Sequence, residues 1–491
     1  MYNLVILCLV SLLAYVYSVR NRRQLSVPPG PRGIPLLGNA LQLPKQCYWL
    51  TFAEWAKTYG PVMHISIVSS PIIVLSSREA ISDLLEKRSL MYSDRPVVPM
   101  AGELAGMEQF TALAPYGQRH REGRKLILSA VSTRKTPGLH IIEESKTADF
   151  ISRLARSPSE LRSHIRWVVA SIVLQITYGI NALDCDDPFI RRMERGLKDF
   201  DKISAPGAYL VDVFPFLKHI PEWFPGASFK RVAREFRSQG LQLENKLYQT
   251  ARDQLDHGTA THSFVADLLA KNHSPTPEEH ELYRQVSTQF LAAGWDTTVS
   301  SLLSFFLIMA QHPEIQRKAQ AEVDASVSGR LPKISDRKEM PYLEAVLKEV
   351  HRWNPAVPLA LPHNVRREDV YAGFRIPAGS TVFANTWAVL HDPALYPRPD
   401  EVIPERYLDK SGEQSDLNPD PRDFAFGYGR RVCPGRMLAE DTLFIVAASV
   451  LASFNIGDAI PREGETVKYG GGIVVSHPDD FTCTIIPRRF V

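Results

Sequence analysis

The sequence predicts a mainly α-helical fold with small β-sheets. Apolar residues recur at helical spacing in ten segments, whereas five shorter runs have the composition of β-strands. The overall composition, 44% hydrophobic and 23% charged, is that of an ordinary globular protein. A net charge of +3 gives no reason to expect nucleic acid as a partner.

The two kinds of pattern give the order of the predicted elements along the chain. The predicted helices are 46–59, 77–88, 117–131, 143–157, 161–178, 226–257, 278–311, 313–328, 340–353 and 434–454. The predicted strands are 62–67, 71–75, 370–376, 380–386 and 480–487. The five cysteines are odd in number and follow no spacing pattern, which favours a reducing compartment over a disulfide framework.

The N-terminal segment departs from this ordinary composition. Residues 4–19 are almost entirely apolar, and three arginines follow within 20–23. A helix of this length rises about 24 Å, which is within reach of the thin membrane of the endoplasmic reticulum. A secretory signal peptide is the alternative, but it would carry positive charge before the apolar run. We therefore expect residues 1–24 to be a single-pass anchor in the endoplasmic reticulum membrane, with the rest of the chain cytosolic.

A proline-rich stretch follows the predicted anchor. Residues 27–35 read Val-Pro-Pro-Gly-Pro-Arg-Gly-Ile-Pro, and four prolines in nine positions exclude a helix. We expect residues 25–37 to form a stiff hinge.

One cysteine has an unusual setting. Cys433 lies in a loop rich in glycine and arginine, directly before the apolar helical segment 434–454. A thiolate shielded in such a loop can serve as an axial haem ligand. The fixed positions of the pattern Phe-x-x-Gly-x-Arg-x-Cys-x-Gly are occupied by Phe426, Gly429, Arg431, Cys433 and Gly435. On these residues the chain resembles the cytochrome P-450 superfamily. A buried structural cysteine on a glycine-rich turn is the alternative interpretation.

The resemblance implies haem b, bound between a long distal helix and the helix of the cysteine loop. Gly294, Asp296 and Thr297 match the distal element of the family. By this resemblance Gly294 leaves room for O2, while Asp296 and Thr297 relay protons during O2 activation. The alternative is a glycine that accommodates a crossing helix, with solvated Asp and Thr side chains.

The haem propionates require positive or hydrogen-bonding side chains. The resemblance assigns this role to Arg431, His363 and Arg124. The family pattern places a Trp four residues before the arginine that corresponds to Arg124, and here that position holds His120. An imidazole can still donate a hydrogen bond, so we keep His120 as a candidate; a solvated helical histidine is the alternative.

A further family feature is structural. Glu349 and Arg352 lie one helical turn apart, and Arg406 follows in a Pro-Glu-Arg-Tyr sequence. The resemblance implies that these three side chains form a buried triad beneath the cysteine loop.

The resemblance covers residues 28–489 and is strongest to fungal membrane-bound monooxygenases of secondary metabolism, such as O-methylsterigmatocystin oxidoreductase. It implies one catalytic domain over 38–491, although the length alone suggests about three domains. It also implies NADPH electrons from NADPH–cytochrome P-450 reductase, met by basic residues such as Arg430 and Arg436. A haem-thiolate isomerase or dehydratase, and a haem sensor, are the alternatives.

The resemblance further implies an apolar small-molecule substrate, because the expected contact segments carry no clustered charge. These segments are 96–113, 203–217, 291–298, 356–359 and 470–474. The aromatic stretch 206–225 could be a pocket lid, a second membrane contact or ordinary packing.

Overall fold

The computed structural model describes residues 25–68, 70–132, 135–205, 207–327, 329–461, 469–471 and 474–488. The predicted anchor, 1–24, lies outside these ranges. Residues 25–33 form no helix and no strand, as the prolines of the predicted hinge require. The described chain is mainly helical, and the prediction of an α-helical fold with small sheets is confirmed.

Eleven helices in the described ranges have at least eight residues. They are α1 (Tyr48–Tyr59), α2 (Gln118–Ala130), α3 (Thr136–Arg156), α4 (Leu161–Tyr178), α5 (Pro188–Ser204), α6 (Ser228–Asp256), α7 (Phe264–Lys271), α8 (Pro277–Gln311), α9 (Pro313–Ser326), α10 (Pro341–Trp353) and α11 (Arg436–Ser453).

The strands form one mixed sheet and three antiparallel pairs. They are β1 (Val62–Ile67), β2 (Ser70–Leu75), β3 (His363–Asn364), β4 (Asp369–Tyr371), β5 (Phe374–Ile376), β6 (Thr381–Ala384), β7 (Phe454–Pro461), β8 (Tyr469–Gly471), β9 (Ser476–Pro478) and β10 (Phe481–Pro487). The mixed sheet has the order β1-β2-β6-β3, with β2 and β6 parallel. The pairs are β4 with β5, β7 with β10 and β8 with β9.

Helix α8 runs through the largest hydrophobic core. It begins with a capping box, in which Thr276 and Glu279 each accept a hydrogen bond from the other's backbone N–H. Its second half is buried on nearly every side, and it packs against α4, α11 and β7. Among the described residues it is the one helix long and apolar enough to span a membrane. However, 72% of its most apolar stretch is buried by protein, as expected of a core helix.

The prediction of the elements was incomplete. Helices α5 and α7 and strands β3, β7, β8 and β9 were not predicted. Asp187 caps α5 and Pro188 occupies its first position, which are both recognisable start signals. The predicted strand 370–376 is a hairpin of β4 and β5, because Ala372 and Gly373 adopt left-handed backbone angles, with φ of 49° and 79°.

The predicted structural triad is confirmed. Arg352 Nε donates to Glu349 Oε1 at 2.6 Å, and both side chains are fully buried. Arg406 Nε lies 3.1 Å from the same oxygen, and the Tyr407 hydroxyl donates to it at 3.1 Å. A buried carboxylate needs such donors, so this group fixes α10 against the segment 404–407.

Candidate functional site

The cysteine loop depends on glycine at two positions. Gly429 has φ of +54°, and a Cβ at this position would lie 2.2 Å from the carbonyl oxygen of Leu85. Gly427 also has a positive φ, of +80°. The loop is closed by the backbone N–H of Cys433, which donates to the carbonyl of Phe426 at 2.7 Å. The loop therefore holds Cys433 close to the first turn of the buried helix α11.

The thiol of Cys433 borders empty space although protein surrounds it. Its side chain is exposed, yet burial raises the pKa of the thiol. Both observations hold if Sγ faces a gap inside the fold. A hydrogen bond from the Gly435 backbone and the charges of Arg124 and Arg436 lower the pKa in the opposite direction. A ligand entering this gap would meet a thiol with nearby groups that favour its thiolate form.

Two buried guanidinium groups lie near this loop. Arg95 and Arg431 are 7% and 8% exposed. Together they donate to the carbonyl oxygens of Ser93, Thr111, Ala112, Ala114, Leu361 and Pro362. Neither forms an ion pair with a carboxylate in the described part of the chain, and burial lowers the pKa of Arg431 to about 10. The charge of Asp94 acts on both guanidinium groups but forms no ion pair with either, so a further negative group would stabilise these two buried cations.

His120 contacts the same group through one ring nitrogen. Arg431 Nη1 lies 2.8 Å from Nδ1 of His120. Nδ1 also lies 2.9 Å from the carbonyl oxygen of Thr111, which can only accept. The neutral ring therefore either accepts from Arg431 at Nδ1 and carries its N–H on Nε2, or donates from Nδ1 to Thr111. Nε2 is buried and has no hydrogen-bond partner among the described residues, and burial lowers the pKa of His120 to about 4. In the first tautomer the imidazole has an unused N–H on Nε2. One turn later, Arg124 Nη1 donates to the carbonyl of Val432 in the cysteine loop.

His363 lies on the other side of this cationic group. It is 2% exposed, and its Nδ1 donates to the carbonyl of Tyr92 at 2.6 Å. Burial, assisted by the charge of Arg95, lowers its pKa to about 3, so the ring is neutral. The structure thus brings His363, Arg431, His120 and Arg95 together. The sequence analysis missed Arg95, since a single arginine before a proline carries no recognisable signal.

The distal helix α8 lines a cavity along several turns, from Glu281 to Thr297. Ala293 and Thr297 line the cavity, and the Thr297 hydroxyl donates to the Ala293 carbonyl at 2.8 Å. Gly294 does not face this space. A Cβ on Gly294 would lie 3.4 Å from both methyl groups of Val173 in α4. The expectation that Gly294 leaves room for O2 is therefore wrong: this glycine lets two helices approach closely.

Asp296 belongs to a group of titratable side chains. Both of its carboxylate oxygens lie 3.3 Å from Nε2 of His477, which follows the first residue of β9. Burial raises the pKa of Asp201, on α5, to about 6, and the nearby charge of Asp296 contributes to this increase. The sequence analysis missed Asp201 and His477, because α5 was not predicted and β9 lies 181 residues from Asp296.

The cavity has a volume of about 790 Å³ and lies between α5, α6 and α8. Most residues between 105 and 113, residues 291–293 and 295–297, Val357 and Val474 line it, as expected. The expected segment 203–217 does not; residues 192–201 of α5 and 236–244 of α6 take its place. The lining is largely apolar, but the expectation of no clustered charge is wrong, because Asp201 and Asp296 both face the cavity.

A cysteine in a glycine-rich loop, buried cations and a distal helix over a cavity define the class of haem-thiolate proteins. The cytochrome P450 family model matches residues 28–483. The chain is 39% identical to cytochrome P450 monooxygenase 208 of Postia placenta, over 98% of this chain and 94% of that protein. It is 40% identical to cytochrome P450 monooxygenase COX2 of Coprinopsis cinerea, over 96% and 92% of the two chains. The chain belongs to the cytochrome P450 family and is a haem-thiolate monooxygenase.

The family implies a haem, and the described residues fit it. The exposed thiol of Cys433 offers an iron ligand. The buried cations Arg95 and Arg431 form no ion pair among the described residues, and the buried Nε2 of His120 has no hydrogen-bond partner there. Two propionate groups would satisfy these requirements. The family also implies O2, a redox partner and a small-molecule substrate.

Proposed function

We propose that this enzyme inserts one oxygen atom from O2 into a mostly apolar small metabolite of terpenoid, polyketide or indole type. The observation that carries the proposal is the largely apolar cavity of about 790 Å³, bordered by Ala293 and Thr297 of the distal helix. An apolar cavity binds a ligand by buried area, at about 25 cal/mol per Å², and selects shape more than charge.

Cys433 is proposed as the axial ligand of the haem iron. Its exposure within a protein environment supports this role, and the Gly435 N–H and the two nearby arginines favour the thiolate. When bound, the haem supplies O2 activation with electrons from NADPH. The glycine loop, with Phe426 accepting the Cys433 N–H, holds the sulfur in place. Gly429 allows the close approach of this loop to the Leu85 carbonyl, and the Gly435 backbone N–H forms a hydrogen bond with the Cys433 sulfur.

The propionate contacts are proposed as Arg431, Arg124, His120 and His363, to which we add Arg95. Arg431 and Arg95 would supply charge, and His120 would donate a hydrogen bond through Nε2 in the tautomer that accepts from Arg431 at Nδ1. His363 donates through Nδ1 to Tyr92, so its neutral ring has no N–H on Nε2 and would contribute by packing.

Asp296 and Thr297 are proposed to deliver protons from the distal side. The Thr297 hydroxyl donates a hydrogen bond to the Ala293 carbonyl, which leaves the lone pairs of the hydroxyl oxygen available on the cavity side. Asp296 lies 3.3 Å from Nε2 of His477 and, like the adjacent Thr297, lines the cavity. This placement at the cavity wall supports a role for both residues in proton delivery.

The membrane arrangement is part of the proposal. Residues 1–24 are proposed to anchor the chain in the endoplasmic reticulum membrane, 25–37 to form a hinge and 38–491 to act as one catalytic unit. Exposed apolar side chains support a membrane-facing surface: Leu36, Leu41, Leu210, Phe216 and Trp223 are 66–90% exposed. Three of them lie in 207–225, which favours a second membrane contact for this stretch.

Electron delivery is proposed to come from NADPH–cytochrome P-450 reductase. Arg430 and Arg436, the two basic residues expected to contact the reductase, have different partners in the structure. Arg436 is paired with Glu440 and Asp423, at 2.7 and 3.2 Å. Arg430 donates to the Tyr116 hydroxyl and forms no ion pair in the described part of the chain. Arg430 is therefore the better candidate for an acidic partner surface.

The test uses the full chain reconstituted with reductase. NADPH and O2 consumption should rise with a productive substrate, and a product one oxygen atom heavier should form. Cys433→Ser should remove the thiolate-type Soret band of the reduced CO complex, whereas Cys483→Ser, in β10, should keep it. Conversion of substrate without NADPH would instead favour an isomerase or dehydratase. A retained band in Cys433→Ser would disprove the ligand assignment.

A further inference from the structure

A second group of metal-ligating side chains lies between α3 and α11, outside the cavity lining. His140 and Glu143 are one turn apart on α3, and Asp441 lies in the second turn of α11. One ligand atom of each residue lies within 4.8 Å of the ligand atoms of the other two. Glu143 is fully buried, Asp441 is 8% exposed and His140 is half-buried. The arrangement comes from helix spacing on α3 and from the packing of α11 against it.

Each carboxylate has one oxygen held by a neighbour and one left towards the cluster. Glu143 Oε1 accepts from the Thr442 hydroxyl at 2.6 Å, while its Oε2 is buried and has no partner among the described residues. Asp441 Oδ1 accepts from Arg337 Nη1 at 2.9 Å, while its Oδ2 lies 3.2 Å from His140 Nε2. Hydrogen bonds from Thr442 and Arg337 to the outer oxygens are of the kind that orients metal ligands, and a metal ion would replace the contact between Asp441 Oδ2 and His140 Nε2.

The unpaired oxygen of Glu143 is costly without a cation. A buried carboxylate oxygen without a partner loses its hydration and gains no hydrogen bond in exchange. Burial raises the pKa of Glu143 well above its usual value, and the charges of Asp441 and Glu144 act in the same direction. A proton on Oε2 would remove the charge but would itself require an acceptor. A divalent cation would balance the charges of Glu143 and Asp441 and fill the empty ligand position.

We propose that His140 Nε2, Glu143 Oε2 and Asp441 Oδ2 bind a Zn²⁺ ion. One imidazole and two carboxylates suit zinc, whereas Mg²⁺ prefers oxygen ligands alone. Zinc binds such atoms at about 2.0–2.2 Å in a tetrahedral arrangement, so ligand atoms on one ion lie roughly 3.3–3.6 Å apart. His140 Nε2 and Asp441 Oδ2, 3.2 Å apart, already have about this spacing. The atoms of the cluster lie within 4.8 Å of one another, so the Glu143 side chain has to move by at most about 1.5 Å when zinc binds. Three protein ligands leave a fourth position for water.

The ion would join two helices that meet behind the cysteine loop. Helix α11 begins three residues after Cys433, and α3 otherwise contacts it through packing and the bonds described above. The proposed role is structural, so the zinc would be independent of haem and of the oxygenation reaction.

The test measures zinc in the haem-loaded enzyme, purified without a histidine tag. After dialysis against Zn²⁺ and then against metal-free buffer, elemental analysis should find about one Zn²⁺ per chain, and Zn²⁺ should raise the melting temperature of the chelator-treated enzyme. Glu143→Gln keeps the shape and the Thr442 hydrogen bond; it should weaken zinc binding by at least about tenfold. His140→Ala changes a half-buried side chain and provides a second variant if Glu143→Gln does not fold.

Matched controls decide the outcome. His257→Ala alters an exposed histidine at the end of α6 and should bind zinc as the wild type does. The proposal is overturned if the wild type retains no zinc and shows no stabilisation. It is also overturned if Glu143→Gln and His140→Ala bind zinc as tightly as the wild type, or if Mg²⁺ stabilises the enzyme as much as Zn²⁺.

Discussion

Arg431 and His120 lie 311 positions apart in the chain, and Nη1 of Arg431 lies 2.8 Å from Nδ1 of His120. The carbonyl oxygen of Thr111 lies 2.9 Å from the same nitrogen and competes for it. When Arg431 donates to Nδ1, the only N–H of the neutral ring is on Nε2, which has no partner in the described part of the chain. In that tautomer the imidazole offers a donor where the family pattern has the N–H of a tryptophan.

The first prediction concerns this donor. His120→Leu should lower the haem content of the purified enzyme and speed haem transfer to apomyoglobin, because a buried N–H directed at a propionate is lost. His120→Gln keeps an amide donor and should retain most of the haem. The loss should be about 1–2 kcal/mol, or roughly five- to thirtyfold in the transfer rate. Equal transfer rates for both variants would exclude the donor role.

The second prediction separates two adjacent threonines. Thr297 lines the cavity, whereas Thr298 is 4% exposed and donates to the Gly294 carbonyl at 2.9 Å. Thr297→Ala should keep the haem spectrum and divert NADPH electrons into hydrogen peroxide. Thr298→Ala should leave the ratio of product to NADPH nearly unchanged. Peroxide and product are measured in the same reaction, and an unchanged ratio in Thr297→Ala would refute its part in proton delivery.

The third prediction follows from three buried histidines. Burial lowers the pKa of His120 and His351 to about 4 and that of His363 to about 3. Below about pH 6.5 these three histidines take up protons in the unfolded chain but stay neutral in the folded protein. Their contribution to stability is therefore complete above pH 6.5 and falls as the pH decreases towards 4, by up to about 1.4 kcal/mol per pH unit for each histidine.

The measurement compares melting temperatures at pH 7.5, 6.5 and 5.5. His351→Gln should show a shallower fall than the wild type, because one proton uptake is removed. His257→Gln changes an exposed histidine and should follow the wild type. Parallel curves for all three proteins would show that His351 titrates equally in the folded and unfolded states.

The fourth prediction concerns the membrane. A chain that starts at Ser26 should bind haem normally and lose most of its membrane association. Replacing Phe216 and Trp223 with Ser in that shortened chain should release the remainder, because both side chains are exposed apolar groups. Flotation with liposomes and the CO spectrum are measured together. Failure of the shortened chain to bind haem would show that residues 1–25 do more than anchor the protein.

The fifth prediction concerns the substrate. Apolar metabolites should shift the Soret band to shorter wavelength in a saturable manner, since they fill a largely apolar cavity. Asp201→Asn should change this affinity little for neutral ligands and should alter it for charged ones. A saturable shift with highly charged compounds alone would overturn the proposed substrate class.

The sequence predicted the helical fold and the cysteine loop because both depend on local signals. Helical periodicity and a run of glycines are visible within a few residues. Arg95 and His477 were missed, since their importance comes from partners far away in the chain. Gly294 was misjudged for a related reason: a glycine in a helix shows that something comes close, but only the structure shows that it is Val173 of α4.

The residues proposed to hold the haem are distributed along the chain in a way that matters during synthesis. Arg431 donates to the carbonyl of Ser93, 338 positions earlier. A nascent chain that has emerged as far as α8 therefore contains Arg95 and His120 but not yet Arg431 and Cys433. Haem can be captured with both its iron and its propionates only after the ribosome has released the cysteine loop. Until then the growing polypeptide exposes a half-built pocket, which chaperones would have to shield.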